Sequence, residues 1–448
     1  MARHLTNVRA PAGACTFTLF ALAATAAAQD PAATPPLAQQ PVQPPEPDSA
    51  EAQGEEVAAE REWVGGLPWW RWSRATGDLG DRRRWLEESG IEVGGGLTMD
   101  WGAAWHGGLR NRDSVMALAD INVALDLETL IGLPRTLAFV DAYQIEGRNI
   151  SNDIGDLQGV SNIASPNTEQ IAEVWLETWL CDSIRVKAGK VDFNSEFAFS
   201  EVSGEFINSS AGFSPTIQAA PSYPNPATSV NVFWNPSEFS YIGVGVYDGA
   251  AAIGVNTGSQ GPSGFFRNDE SDQYFTILEA GSSWTGGNTW GSGRVALGAW
   301  YHGEQFTRFD GGIDRGTAGA YAILDQIVWR ENPEDAEDKQ GIGVSAMLGF
   351  ADEDVAQVPL HVQAGVVWTG AIGGREDDTL GFLVTHAQLS SATGSTFDGD
   401  ETVFELLYRF QVTPAMSLKP DLQYVLNPSG DPSVDDALVG MVRMELTF

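Results

Sequence analysis

From Ile91 onward, apolar and polar residues exchange places at every second position, segment after segment. In Ile91–His106, Val93, Leu97, Met99, Trp101 and Trp105 share one parity, and Glu92, Thr98, Asp100 and His106 share the other. Val115–Leu127 repeats the scheme, with Val115, Ala117, Ile121, Val123, Leu125 and Leu127 opposing Asp120, Asn122 and Asp126. Successive side chains of a strand point to opposite faces, so a period of two means strands with one apolar and one wet face. Comparable segments recur at 136–147, 171–180, 184–190, 229–235, 239–248, 272–284, 293–304, 317–329, 340–351, 358–369, 379–389, 402–412, 416–426 and 437–448. The count comes to about sixteen, an even number, as single-chain bacterial outer-membrane barrels require. The expected fold is all-β: a transmembrane antiparallel β-barrel over residues 91–448.

Connection lengths support a membrane barrel over a soluble sandwich or propeller. Leu130–Pro134, Cys181–Ser183, Asn235–Ser237 and Thr413–Ala415 are tight, whereas 148–170, 191–228 and 249–271 are long. With a periplasmic N-terminus, every one of these short links falls on the periplasmic side and every long one outside. No blade-length repeat is visible. After Ala28 no run of roughly eighteen apolar residues offers a spanning helix.

Ahead of the barrel, the chain changes character twice. Residues 1–28 read as a signal peptide: Arg3 and Arg9, an apolar run from Cys15, then the small residues Ala26-Ala27-Ala28. Residues 29–62 are rich in Pro, Ala, Gln and Glu and lack periodicity, which predicts a disordered linker. Residues 63–90 form an N-terminal segment in which Asp78–Ser89 predicts a short helix at the barrel mouth, stopped by Gly90.

The formal net charge of −35 argues against nucleic acid as a partner, and against a basic face that binds anionic lipid. Acids gather in Glu331–Asp338, Asp352–Asp354, Glu376–Asp378 and Asp398–Glu401, as solvated turns would. The last of these suggests a calcium loop, but the full ligand spacing is missing, so no metal is assigned. Beyond the leader, Cys181 is the one cysteine, which excludes an intrachain disulfide. The histidines His106, His302, His361 and His386 come with no G-x-S-x-G elbow or H-E-x-x-H pair. No catalytic residue and no cofactor are assigned.

Several stretches resemble the carbohydrate-selective outer-membrane porin family (OprB type). GDLGDRRRWLEESGI (Gly77–Ile91) is similar to the family's GDWGG-x-R-x-x-L-x-x-x-GI entry motif, matching at Gly77, Asp78, Gly80, Arg83, Leu86, Gly90 and Ile91. Leu79 stands where the family has Trp, and Asp81 where it has Gly. EVWLETWL (Glu173–Leu180), AGKVDFNSEFA (Ala188–Ala198), EFINSSAGFSP (Glu205–Pro215), YPNPA (Tyr223–Ala227) and PDLQYVLNPSG (Pro420–Gly430) resemble further family segments, in family order. The resemblance implies a sixteen-stranded, sugar-conducting barrel in the bacterial outer membrane.

Parity then nominates the residues that face the permeants. Val174, Leu176, Thr178 and Leu180 share one face of their strand, and Glu173, Trp175, Glu177 and Trp179 the other. An interfacial-anchor role for the two tryptophans would drag both acids into lipid, so Glu173–Trp179 is assigned to the lumen. Arg185 and Lys187 face the same way on the next strand. Aromatic faces beside charged groups suit sugars, although a salt-bridge ladder that stiffens the wall is an equal reading. The Val191–Thr228 link carries Asp192, Asn194 and Glu196 with five phenylalanines, and predicts a packed loop that enters the lumen and narrows it.

Three alternatives remain open beside a sugar-preferring porin: a general or cation-preferring porin, a barrel enzyme, and an anchor whose acidic loops bind partners. Expected partners are small sugars and ions as permeants and outer-membrane lipid. A homotrimer is common among sixteen-stranded porins, but no interface is legible. The terminal strand ends with Leu438, Val442, Met444, Leu446 and Phe448 on one face, which resembles the address read by the barrel-assembly machinery. Deleting Phe448 is expected to cut the amount of protein reaching the outer membrane several-fold, measured by membrane fractionation. Unchanged delivery would refute that reading.

Overall fold

The computed structural model describes residues 68–249, 252, 273–287, 290–335 and 338–448. The expected signal peptide, the linker and most of the 249–271 link lie outside the described residues.

Sixteen antiparallel strands close on themselves in sequence order. They are β1 (Ile91–Gly108), β2 (Asp113–Asp126), β3 (Thr136–Gly147), β4 (Thr168–Cys181), β5 (Ile184–Val191), β6 (Ala227–Ser237), β7 (Ser240–Asp248) and β8 (Tyr274–Trp284). The second half comprises β9 (Gly293–Thr307), β10 (Ile313–Arg330), β11 (Gly341–Ala351), β12 (Leu360–Thr369), β13 (Thr379–Gln388), β14 (Glu401–Thr413), β15 (Met416–Leu426) and β16 (Asp435–Thr447). Four short helices punctuate them: α1 (Arg82–Glu88), α2 (Leu127–Ile131), α3 (Ser151–Ile154) and α4 (Ser209–Gly212). The barrel shuts where β1 pairs β16, from Gly96 opposite Thr447 to Gly108 opposite Asp435. Inside that seam Arg443 donates twice to Asp100, at 2.7 Å each. Closure leaves no sheet edge in lipid, where an unpaired backbone group would cost several kcal/mol.

Strand positions follow the alternation closely. The largest departure is β10, which starts at Ile313 instead of 317. Gly316 lies in a register shift between Arg315 and Thr317 with φ +94°, so the alternation breaks there while the pairing continues. α1 is shorter than the predicted Asp78–Ser89. Leu79, Gly80 and Asp81 all have positive φ and cannot continue a helix backwards from Arg82, whereas Gly90 (φ +84°) ends it as expected.

The tight links lie at the end where β1 begins and β16 ends, which is the periplasmic end by the usual rule. Length asymmetry rests on three far-side links only. The far-side links 109–112 and 308–312 are short, and the near-side 331–340 and 370–378 are longer. Trp101 and Trp105 form part of an exposed aromatic band at the far end, and Trp234, Trp284, Trp329 and Trp368 one at the periplasmic end. Between these bands the outward side chains are apolar; Leu176, for example, is 52 % exposed. Leu176→Arg is therefore expected to destabilise the barrel by roughly 2–4 kcal/mol if it sits near the midplane, measured by denaturant titration in bilayers. Wild-type stability would mean that the register of β4 is inverted.

Candidate functional site

The inward faces of the strands meet two loops that enter the barrel. The first, between β5 and β6, is pinned at both ends by Asp192, which accepts from Asn194 N (2.8 Å), Tyr223 N (3.0 Å) and Ser222 Oγ (2.7 Å). From there it follows the inner wall around. Ala198 N donates to Glu279 on β8 (2.9 Å), and Arg294 on β9 donates to Phe199 O (2.9 Å). Asp325 on β10 accepts from Ser200 Oγ, Glu201 N and Val202 N. Ser203 bonds Ser345 on β11 and Gln363 on β12. Glu405 on β14 accepts from Ile207 N (2.6 Å) and Asn208 N (3.1 Å), and Asn208 donates onward to Gln423 on β15.

The second loop, 148–167, enters from the β3–β4 link. Glu401 accepts Leu157 N and Gln158 N at 2.9 Å each, and Gln423 donates to Val160 O (2.8 Å). Ser161 Oγ donates to Asp100 (2.6 Å). The loops join through Asn162 N to Ile207 O and Ser209 N to Gly159 O, both 2.8 Å. Irregular backbone at this depth has few other acceptors, so wall carboxylates take its amide protons.

Two phenylalanines key the first loop sideways. A Cβ on Gly243 or Gly245 of β7 would stand 2.8 Å from the Phe197 ring. One on Gly365 or Gly381 would stand 3.1 or 3.0 Å from Phe206. Phe193, Phe197, Phe233, Tyr247, Phe275, Trp300 and Tyr321 then form one buried cluster that fills the sector under β4–β11. The inward side chains that keep exposure lie largely elsewhere. Asp120, Asn122, Asp141 and Glu173 are half-buried on β2–β4, with Asp141 directly opposite Asn122 and Glu173. On β14 and β15, Arg409 and Lys419 are engaged by Glu205 and Glu445.

Seven of the eight nominated residues come together. Glu173 accepts from Asp192 N (3.0 Å) and from the Trp175 indole (3.1 Å). Trp175, 8 % exposed, stacks on Phe139 (4.8 Å) and carries Lys187 Nζ 3.8 Å from its ring centroid. Arg185 bridges Glu177 (2.8 Å) and Glu196 (2.6 Å), while Lys187 reaches Glu196 (2.5 Å) and Glu177 (3.3 Å). Asp192 and Asn194 serve the turn of their own loop. Trp179 stands apart, with the Arg135 guanidinium 5.7 Å from its ring near the periplasmic turn.

Parity thus located the wall but not what covers it. Glu279, Asp325, Glu401 and Glu405, which seat the loops, were not nominated; their signal was an acid at an inward parity position. Glu401 is taken by loop amides and Asp400 by Leu389 N, so the Asp398–Glu401 turn does not converge on a cation.

Among loop acids, burial pushes Asp192 and Glu201 up from their ordinary values, and pushes Asp156 up to about 7 with help from the Glu401 charge. Burial acts the same way on Glu196, but Lys187 and Arg185 outweigh it and hold that carboxyl below the usual range.

A closed sixteen-stranded barrel with aromatic bands and two inserted loops defines an outer-membrane porin. The model of the carbohydrate-selective porin, OprB family matches residues 114–448, and the chain belongs to that family. Porin B of Pseudomonas aeruginosa is 24 % identical over 426 residues, covering 83 % of this chain and 90 % of the relative. The high-pH structure of Pseudomonas putida OprB superposes with a TM-score of 0.75 at 19 % identity, over 84 % of this chain and 99 % of the other. The low-pH structure of the same protein gives 0.57 at 18 % identity over the same shares. The chain is a bacterial outer-membrane carbohydrate porin, and porins are channels.

Glu196→Ala would leave Arg185 and Lys187 with Glu177 alone. Breaking such a buried network costs on the order of 3–5 kcal/mol, so the loop should loosen and single-channel conductance should rise. Because the folded carboxyl is held below its ordinary value, its contribution is complete above pH 4.5 and is lost as pH falls through the lower folded value. The Glu196 clamp itself should accordingly stay intact between about pH 5 and 8 and open only in stronger acid. Recording conductance against pH for both proteins checks this.

Proposed function

We propose that this porin passes small neutral sugars by passive diffusion along the acidic wall of β2–β4, and admits cations in preference to anions. The observation that carries the reading is the half-buried row of Asp120, Asn122 and Asp141 on β2 and β3, outside the sector that the aromatic cluster fills, with Glu173 at its border. Carboxylates and an amide offer hydrogen-bond partners to hydroxyl groups. An ionised carboxylate on a lumen wall raises the local concentration of cations and repels anions.

The nominated residues divide in this reading. Glu173 and Glu177 present oxygen atoms to the passing solute. Trp175, Arg185, Lys187, Asp192 and Asn194 fix the loop that sets the width, and Trp179 lines the periplasmic exit. Residues 1–28 act as the export leader, 29–62 as a periplasmic tether, and Phe448 as the assembly address.

Planar-bilayer recording tests the proposal. Reversal potentials in a salt gradient should show cation preference, reduced in Asp120→Asn/Asp141→Asn, and a neutral hexose should reduce the ion current. Anion preference, or equal selectivity in the double variant, would overturn the electrostatic part. Absence of any hexose effect would overturn the sugar path. Trp175→Ala should lower stability by ~3–5 kcal/mol because it opens a cavity in the aromatic cluster.

A further inference from the structure

Among its described residues, the segment before β1 exposes Trp69, Trp70 and Trp85. Trp69 and Trp70 are each 57 % exposed in a single turn, Trp69–Arg71, and Arg71 beside them is exposed as well. This turn is not loose chain. Six residues on from Trp69, Ala75 N donates to Thr447 O at the end of β16 (2.8 Å). Arg74 bonds Glu87 (3.1 Å) and Glu92 (3.2 Å). Arg83 bonds Val93 O (2.7 Å), Gly77 O (3.1 Å) and Thr76 Oγ1 (2.9 Å). These bonds strap the segment to the periplasmic rim.

The strap fixes where the tryptophans go. Chain geometry keeps Trp69 within about 20 Å of Thr447, and the turn packs beside β14. It therefore meets the periplasmic half of that strand, whose outward residues Phe410 and Val412 are 42 % and 46 % exposed on the lipid face.

Charge points the same way. Between residues 68 and 88 stand Arg71, Arg74, Arg82, Arg83 and Arg84 against Asp78, Asp81, Glu87 and Glu88, in a chain whose net charge is −35. Arg74 and Arg83 are used internally, while Arg71, Arg82 and Arg84 are exposed. Those three take no part in the bonds of the strap. Tryptophan rings favour the headgroup level of a bilayer, and a neighbouring arginine can reach lipid phosphate while its stem stays on apolar surface.

We infer that the Trp69–Arg71 turn is a membrane anchor, seated in the phospholipid headgroup layer of the periplasmic leaflet with Arg71 on phosphate. It extends the barrel's lipid contact beyond the last strand residues and fixes the N-terminal segment beside the pore mouth.

A nitroxide label tests this in the full chain, with Cys15 and Cys181 replaced by Ser, reconstituted in phosphatidylethanolamine/phosphatidylglycerol vesicles. At Trp70→Cys the label should collide several-fold more with oxygen than with a water-soluble nickel chelate. The ratio should thus fall between that of a label at Leu176→Cys and that of one at Ser433→Cys on a solvated turn. A ratio like that at position 433 would overturn the anchor. Trp69→Cys provides a second reading if the first variant does not assemble. Adding Arg71→Gln should lower the ratio, and an unchanged ratio would overturn the phosphate contact.

Discussion

The interior depends on one recurring interaction: a wall carboxylate that accepts backbone amide protons from an inserted loop. Glu279, Asp325, Glu401 and Glu405 each do this from a strand, and Asp192 and Glu173 do it where the first loop enters. An ionised carboxylate only accepts, and its two oxygens can take neighbouring amides together, as Glu405 does with Ile207 and Asn208. Hydrogen bonds to a charged group are roughly twice as strong as neutral ones. Irregular backbone inside a barrel needs such partners, because the strands have already spent their own donors and acceptors on each other.

The net charge looks different in this light. A sum of −35 suggests repulsion throughout, yet the interior acids fall into distinct groups. Some are consumed by amide caps. Others form closed sets with cations, as Glu177, Glu196, Arg185 and Lys187 do, or Asp100 with Arg443. A third group, Asp120 and Asp141, stands on the accessible wall. The ladder reading of β4 and β5 describes ion pairs that are present: Arg185 and Lys187 are engaged in a ladder that clamps Glu196 of the loop.

The fold was legible because a barrel strand writes its two solvents into alternate residues. Strand β3 was located to the residue from that signal alone, and β10 was misplaced only where Gly316 inserts a bulge that parity cannot show. The loops were legible in length but not in path. Nothing local in 148–167 says that Leu157 and Gln158 will meet Glu401, more than two hundred residues away. The Gly243/Gly245 and Gly365/Gly381 recesses read as weak strand residues until the Phe197 and Phe206 rings are seen beside them. Trp175 had the right face but not its cover, because parity separates lumen from lipid and cannot separate an open lumen from one already filled.

That distinction shapes the pore itself. A sixteen-stranded barrel has more interior than a sugar needs, and here two loops fill part of it along most of the inner wall. The loop phenylalanines and the aromatic wall of β6–β10 pack as the core of a soluble protein would, while Asp120, Asn122 and Asp141 on β2 and β3 stay half-buried. The Glu196 clamp joins the two regions, since it holds the packed sector in place from the strands next to the acidic wall. The seat of the loop thus depends on four interlocked charges, of which Arg185, Lys187 and Glu196 are buried, and a change that frees the loop opens the packed sector.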